Sequence, residues 1–132
     1  MKKKDSSIVA IILAGGFGSR MGSLKKNKHK TMLKIGNFPI LAHLYTQLRI
    51  NFIKKIIICS GYKSDGIKRY SKNIIKKDSD KILRITKSHK NYNYPEIIIS
   101  RLPPTHSTAQ RIFKIKDKIK NNDFLFIYGD IL

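Results

Sequence analysis

Seven consecutive apolar residues, Ile8 to Ala14, run without a break into Gly15-Gly16-Phe17-Gly18. An apolar run of this length, stopped by glycine, is the pattern of a strand buried on both faces, and such strands belong mainly to parallel sheets. Parallel strands must be joined by crossover connections, usually helices. The run is far shorter than the roughly 20 apolar residues that span a bilayer. Lys2 to Lys4 precede it, but no small-residue cleavage pattern follows, so a cytoplasmic location is expected.

The rest of the 132 residues supplies the alternation that such a sheet requires. Lys25 to Lys34 reads as a basic loop. Pro39 is placed in the first turn of a helix reaching about Asn51, with Ile40, Leu41, Leu44, Leu48 and Phe52 at helical spacing. Ile56 to Cys59 is a second buried strand. Ile67, Tyr70 and Ile74 mark a short amphipathic helix. Ile82 to Ile85 and Ile97 to Ile99 are further strand candidates, with a polar loop from Ser88 to Pro95 between them. A helix is expected from about Ser107 to Asn121, with Ile112, Ile115 and Ile119 on one side, and a last strand over Phe124 to Tyr128. The expected fold class is therefore α/β, a Rossmann-like three-layer sandwich with a mostly parallel sheet. Its end directly after a strand reads as a domain cut short at the C-terminus. Ligands of such sheets bind beyond the carboxyl ends of the strands. Three features fall there: the loop from Gly15, the turn Gly61-Tyr62-Lys63, and Gly129-Asp130.

A formal charge of +20 taken alone points to a polyanion, either nucleic acid or an anionic membrane surface. The lysines are spread over nearly the whole chain, however, and a general Lys, Ile and Asn excess gives the same balance. Tyr62, Tyr70, Tyr92 and Tyr94 lie among lysines, the pattern a base-stacking surface would use. Cys59 is the single cysteine, and His29, His43, His89 and His106 have no metal-ligand spacing.

Glycines after a buried strand allow positive φ and bring backbone amides close to a ligand. Arg20 can add two parallel hydrogen bonds to phosphate oxygens. The alternative is a tight turn with no ligand. The dinucleotide fingerprint fails, because counting from Gly16 its third glycine would be Met21, and the first acid after Asp5 is Asp65. No pair of glycines five apart is followed by Lys and then Ser or Thr, as the P-loop requires.

Leu13-Ala14-Gly15-Gly16-Phe17-Gly18-Ser19-Arg20-Met21, then Lys28-His29-Lys30-Thr31-Met32-Leu33 and Pro39-Ile40-Leu41, resembles the opening of the sugar nucleotidyltransferase (nucleotide-sugar pyrophosphorylase) family. That opening reads L-A-G-G-x-G-[TS]-R-[LM], K-P-K-[PQ]-[ML] and P-[IL]-[IL]. The likeness is strongest to the cytidylyltransferases that act on glucose 1-phosphate. Ile57 to Lys63, Thr108 to Ile112 and Phe124 to Asp130 extend it over nearly the whole chain. His29 and Thr31 stand where the pattern has prolines, and Thr108-Ala109-Gln110-Arg111 replaces T-G-G-R.

The resemblance implies attack by a sugar 1-phosphate on the α-phosphorus of a nucleoside triphosphate, CTP favoured, with Mg²⁺ assistance and release of pyrophosphate, in nucleotide-sugar and surface-polysaccharide biosynthesis. Mapped by motif, it makes Arg20 and Lys30 catalytic. It assigns nucleotide binding to Leu13, Ala14, Gly15, Gly16, Gly18, Ser19 and Arg111, and the metal to Asp130. It makes residues 1–132 one nucleotide-binding domain, the N-terminal half of a nucleotidyltransferase, with the sugar-binding half absent. The expected partners are the two substrates; no membrane partner is expected, nucleic acid is disfavoured, and homo-oligomerisation is left open. A catalytically inactive nucleotide-binding domain and a basic nucleic-acid-binding protein are the alternatives.

Overall fold

A computed structural model describes residues 8–14, 30–60, 64–87, 91–101, 110, 114–116 and 123–128. Its centre is a four-stranded parallel sheet of β1 (Val9–Ala14), β4 (Lys55–Ser60), β5 (Glu96–Arg101) and β6 (Phe124–Tyr128), in the order β5-β4-β1-β6. Between β1 and β4 come a 3-10 turn (Lys30–Met32), a two-stranded hairpin of β2 (Lys34–Ile35) and β3 (Phe38–Pro39), and helix α1 (Ile40–Ile50). Gly36 turns that hairpin with a φ of 68°, a conformation glycine adopts without a Cβ clash. Helix α2 (Ser64–Arg69), a π-helical turn (Tyr70–Ile74) and α3 (Ile75–Ile85) join β4 to β5.

The apolar strands read as they do because both faces of β1 and β4 are covered. Ala10, Ile12 and Ala14 join Ile56 and Ile58 on one face, beneath Leu41, Ala42, Tyr45 and Leu48 of α1 and Ile67, Tyr70 and Ile75 of the second crossover. Val9, Ile11, Ile57 and Cys59 face the other way, with Ile115 on them. Each fully buried isoleucine stabilises the fold by about 1.5–3 kcal/mol relative to exposure. The sheet is mostly parallel and flanked by helices, as the sequence pattern required.

Three local expectations are corrected. Pro39 sits just before the first helical residue, at φ −60° and ψ 153°, so the helix starts at Ile40. Ile82 to Ile85 is the last turn of α3 and not a strand. The π-helical turn adds a residue to the helical period, so the buried positions fall at Ile67, Tyr70, Ile75, Ser79 and Leu83, while Ile74 and Ile85 face solvent.

Phe52 is the third correction. It is 68% exposed and lies past the end of α1, at a φ of 63°. The amide of Ile53 donates to the Leu48 carbonyl (3.1 Å) and that of Phe52 to the Arg49 carbonyl (3.1 Å), the paired bonds of a Schellman cap. Phe52 thus holds the left-handed position that glycine usually fills. Phe52→Gly is expected to be more stable than Phe52→Ala by about 1 kcal/mol, since both lose the ring and only glycine escapes the Cβ clash. Urea unfolding of the two variants checks this; equal midpoints would refute it.

Candidate functional site

The register of the sheet brings all four strands to an end on one edge. Leu13 is level with Cys59 and Tyr128, Ala14 with Ser60, and Ser60 with Arg101. The ends of β1 and β6 are thus neighbours, separated by the roughly 4.8 Å of adjacent strands. The chain leaves one of them into Gly15 and the other into Gly129-Asp130. This edge is also where α1 begins, because a helix linking two parallel strands returns from the carboxyl edge to the amino edge.

Leu13 is half-buried and Ala14 buried at the end of β1. The backbone of Lys30 opens the 3-10 turn, which packs against α1. Thr31 in that turn is fully buried, and the Leu33 carbonyl just after it accepts the Ile40 amide at 2.8 Å. Gly15, Gly16, Gly18, Ser19, Arg20, Arg111 and Asp130 lie outside the described residues, as do Tyr62, Lys63, His29, His89 and His106. The Nε2–H of His43 donates to the Ile35 carbonyl (3.0 Å), a bond that ties α1 to the hairpin. At the far side of the edge, Arg101 pairs with Asp65 at 3.2 Å, and Lys114 donates to the Arg101 carbonyl at 2.7 Å. Among the described residues no three or more His, Cys, Asp and Glu side chains come together as a metal site, and no helix is long and apolar enough to cross a membrane.

Sequence reasoning missed a polar cluster at the opposite edge. Arg49 is 5% exposed. Its guanidinium donates to the carbonyls of Tyr92 (2.9 Å) and Asn93 (3.2 Å), to Ser79 Oγ (3.2 Å) and to Asp80 Oδ1 (2.8 Å). Tyr94 donates to the other oxygen of Asp80 at 2.6 Å, and its ring lies 4.2 Å beneath the guanidinium. Burial pushes the Asp80 carboxyl up, but the Tyr94 hydroxyl and the Arg49 guanidinium outweigh it and hold Asp80 below the usual carboxylate range. Tyr45 donates to the Pro95 carbonyl (3.1 Å), and burial pushes its phenol up to about 12. The signal was present in the sequence. Arg49 stands eight residues after Leu41 and four after Tyr45, on the buried stripe of α1. A cavity of about 120 Å³ adjoins the cluster, lined by Arg49, Phe52, Lys54, Tyr92, Tyr94 and Pro95 among others. That is well below the 300–1,000 Å³ of ordinary ligand pockets.

Of the four tyrosines, the three that are described do not make a stacking surface. Tyr70 is 7% exposed with its hydroxyl on Asp78, Tyr94 is held by Asp80 and Arg49, and the Tyr92 ring leans on Phe52 at 5.7 Å.

Comparison with known proteins bears on the carboxyl edge. A family model described as nucleotidyl transferase matches residues 9–132. The chain is 33% identical over 127 residues to glucose-1-phosphate cytidylyltransferase of Salmonella typhimurium, covering 92% of this chain and 49% of that protein. It is 39% identical over 64 residues to D-glycero-alpha-D-manno-heptose 1-phosphate guanylyltransferase of Campylobacter jejuni, covering 48% of this chain and 29% of that protein. The fold matches UDP-glucose pyrophosphorylase from Acinetobacter baumannii with a TM-score of 0.72 at 17% identity, covering 96% of this chain and 46% of the other. The chain thus spans about half the length of the glucose-1-phosphate cytidylyltransferases it matches along most of its own length.

Proposed function

The chain belongs to the nucleotidyl transferase family, and we propose that it binds a nucleoside triphosphate, CTP in preference, at the carboxyl edge of its sheet for transfer to a sugar 1-phosphate. The observation that carries this reading is the adjacency of the β1 and β6 ends, from which the glycine run and Gly129-Asp130 continue. In the reaction a phosphate oxygen of the sugar 1-phosphate forms a bond to the α-phosphorus, and the bond from that phosphorus to the bridging oxygen of pyrophosphate breaks. Such chemistry needs charge neutralisation and positioning more than covalent participation.

The amides of Gly15, Gly16 and Gly18 suit the phosphates, with Leu13, Ala14, Ser19 and Arg111 around the nucleotide. Arg20 would hold the departing pyrophosphate, and Lys30 would neutralise the α-phosphate. Asp130 would supply a carboxylate oxygen to Mg²⁺, the donor type that ion takes. The ion's chemistry is to offset negative charge on the triphosphate. Cytidine is favoured by the 33% identity to a cytidylyltransferase. Residues 1–132 act in this proposal as one nucleotide-binding domain working in the cytoplasm.

Titration of the chain with Mg·CTP, Mg·UTP and Mg·GTP by calorimetry tests the reading. Saturable binding is expected, tightest for CTP, and weakened about tenfold to thirtyfold in Arg20→Ala, the loss of a charge-assisted pair of hydrogen bonds. No saturable binding to any triphosphate would overturn the proposal. Equal affinity for all three would remove the cytidine preference alone.

A further inference from the structure

The crossover from β4 to β5 carries a one-sided charge that the nucleotide site does not use. Residues 64–85 form one continuous helical segment of α2, the π turn and α3. Its exposed basic residues are Lys68, Arg69, Lys72, Lys77, Lys81 and Arg84. Its three acids are all engaged elsewhere: Asp65 with Arg101, Asp78 with the Tyr70 hydroxyl, Asp80 with Arg49 and Tyr94. Among the described residues none of the six exposed cations has an ion-pair partner. Within the outer arc itself Lys77, Lys81 and Arg84 stand without an acid among them; Asp78 and Asp80 border it, and Arg84 still acts on Asp80.

Two isoleucines accompany the cations. Ile74 is 51% exposed and Ile85 67%. At 100° per residue, Ile74, Lys77, Lys81, Arg84 and Ile85 fall within an arc of about 100° centred opposite the buried Ile75, Ser79 and Leu83. From Ile74 to Ile85 the arc extends roughly 16 Å along the helix. It carries no aromatic residue on which a base could stack, and Tyr70 of the same segment is turned into the core. Cations flanked by apolar side chains that reach outward instead match the interface of a bilayer, where charge meets anionic headgroups and the aliphatic groups enter the acyl boundary.

We infer that the outer face of α3 docks the chain on an anionic lipid surface, with Lys77, Lys81 and Arg84 on the headgroups and Ile74 and Ile85 as shallow insertions. The sequence expectation was of no membrane partner, with the charge put down to a general lysine excess; the inference departs from it on the placement of these particular cations.

Cosedimentation with vesicles of equimolar phosphatidylglycerol and phosphatidylcholine, against phosphatidylcholine alone, tests it on the 132-residue chain. Binding to the anionic vesicles only is expected. Lys77→Gln/Lys81→Gln should weaken it about thirtyfold, about fivefold for each cation removed near the surface. Ile74→Ser/Ile85→Ser should weaken it about tenfold at unchanged charge. Lys54→Gln/Lys114→Gln, which removes the same charge away from this face, should lose only a small part of the affinity. Equal losses in the two lysine pairs would show attraction by net charge alone and overturn the docking face. Absence of vesicle binding would overturn it as well, as would a U20 oligonucleotide that binds tighter than the vesicles and loses affinity in Lys77→Gln/Lys81→Gln.

Discussion

Arg49→Ala is expected to destabilise the fold by about 3 kcal/mol and to lower Tm by roughly 10 °C. The side chain is 5% exposed and makes five hydrogen bonds, three of them to the carbonyls of Tyr92 and Asn93 that precede β5. Truncation leaves those carbonyls and Ser79 Oγ short of donors, and it leaves Asp80 with only the Tyr94 hydroxyl. Removing one partner of a buried pair typically costs 3–5 kcal/mol. The lower end applies because the Asp80 side chain is 35% exposed and water can replace part of what it loses. Arg49→Lys should fall between, since an ammonium keeps the charge but lacks the planar fork that reaches both α3 and the loop before β5. The same variant should flatten the acid limb of stability. Asp80 is held below its unfolded pKa, so its contribution is present above the unfolded value and lost as pH falls through the folded one. In Arg49→Ala one of the three groups that depress it, beside Tyr94 and Arg84, is gone. Urea unfolding of wild type, Arg49→Ala and Arg49→Lys at neutral and acid pH measures all of this. A loss below 1 kcal/mol for Arg49→Ala would sink the assignment of this cluster as a structural latch.

That latch marks a boundary of what the sequence could say. Strands β1 and β4 were legible because burial on both faces leaves an unbroken apolar run, a pattern few other elements share. The carboxyl edge was legible as a site because glycines at the end of such a strand have a narrow range of uses. The order β5-β4-β1-β6 was not, because nothing local states which strands pair; adjacency of Leu13 and Tyr128 joins residues 115 positions apart in the chain. Ile82 to Ile85 was misread because a short apolar run does not by itself tell strand from helix and the polar Ser79 interrupts the stripe that joins it to Ile75, while Ile74 was misread because the π turn moves the buried position to Ile75. Phe52 was misread because an aromatic residue at helical spacing is usually core, whereas here its left-handed backbone turns it out to solvent. Arg49 escaped notice because an arginine on an apolar stripe is first taken for a solvated charge, and only carbonyls supplied by a distant loop make its burial favourable.

Raising the pH from 10 to 12 is expected to remove about 4 kcal/mol of stability through two tyrosines. Burial pushes Tyr45 up to about 12, and burial with the hydrogen bond to Asp78 raises Tyr70 further still. Both are almost fully buried, at 1% and 7% exposure. A phenol whose folded pKa lies above its unfolded value contributes stability that is complete below pH 10 and is lost as pH rises toward the folded value. The unfolded chain ionises in this window and the folded one resists, so each tyrosine costs at most about 1.4 kcal/mol per pH unit, and about 2 kcal/mol over the window. The two together approach the whole stability of a marginal domain, and cooperative unfolding should set in before pH 12. The many lysines of this chain discharge over the same range, which relaxes its self-repulsion and opposes the effect. Tyr45→Phe and Tyr70→Phe separate the two, because each keeps every lysine. At pH 8 Tyr45→Phe should be less stable than wild type by about 1 kcal/mol, the loss of the bond to the Pro95 carbonyl. Between pH 10 and 12 that difference should shrink by at most about 1.4 kcal/mol per unit and then reverse, leaving the variant the more stable protein. Denaturant midpoints at pH 8, 10, 11 and 12 that stay parallel for wild type and both variants would show that neither phenol is held neutral by the fold.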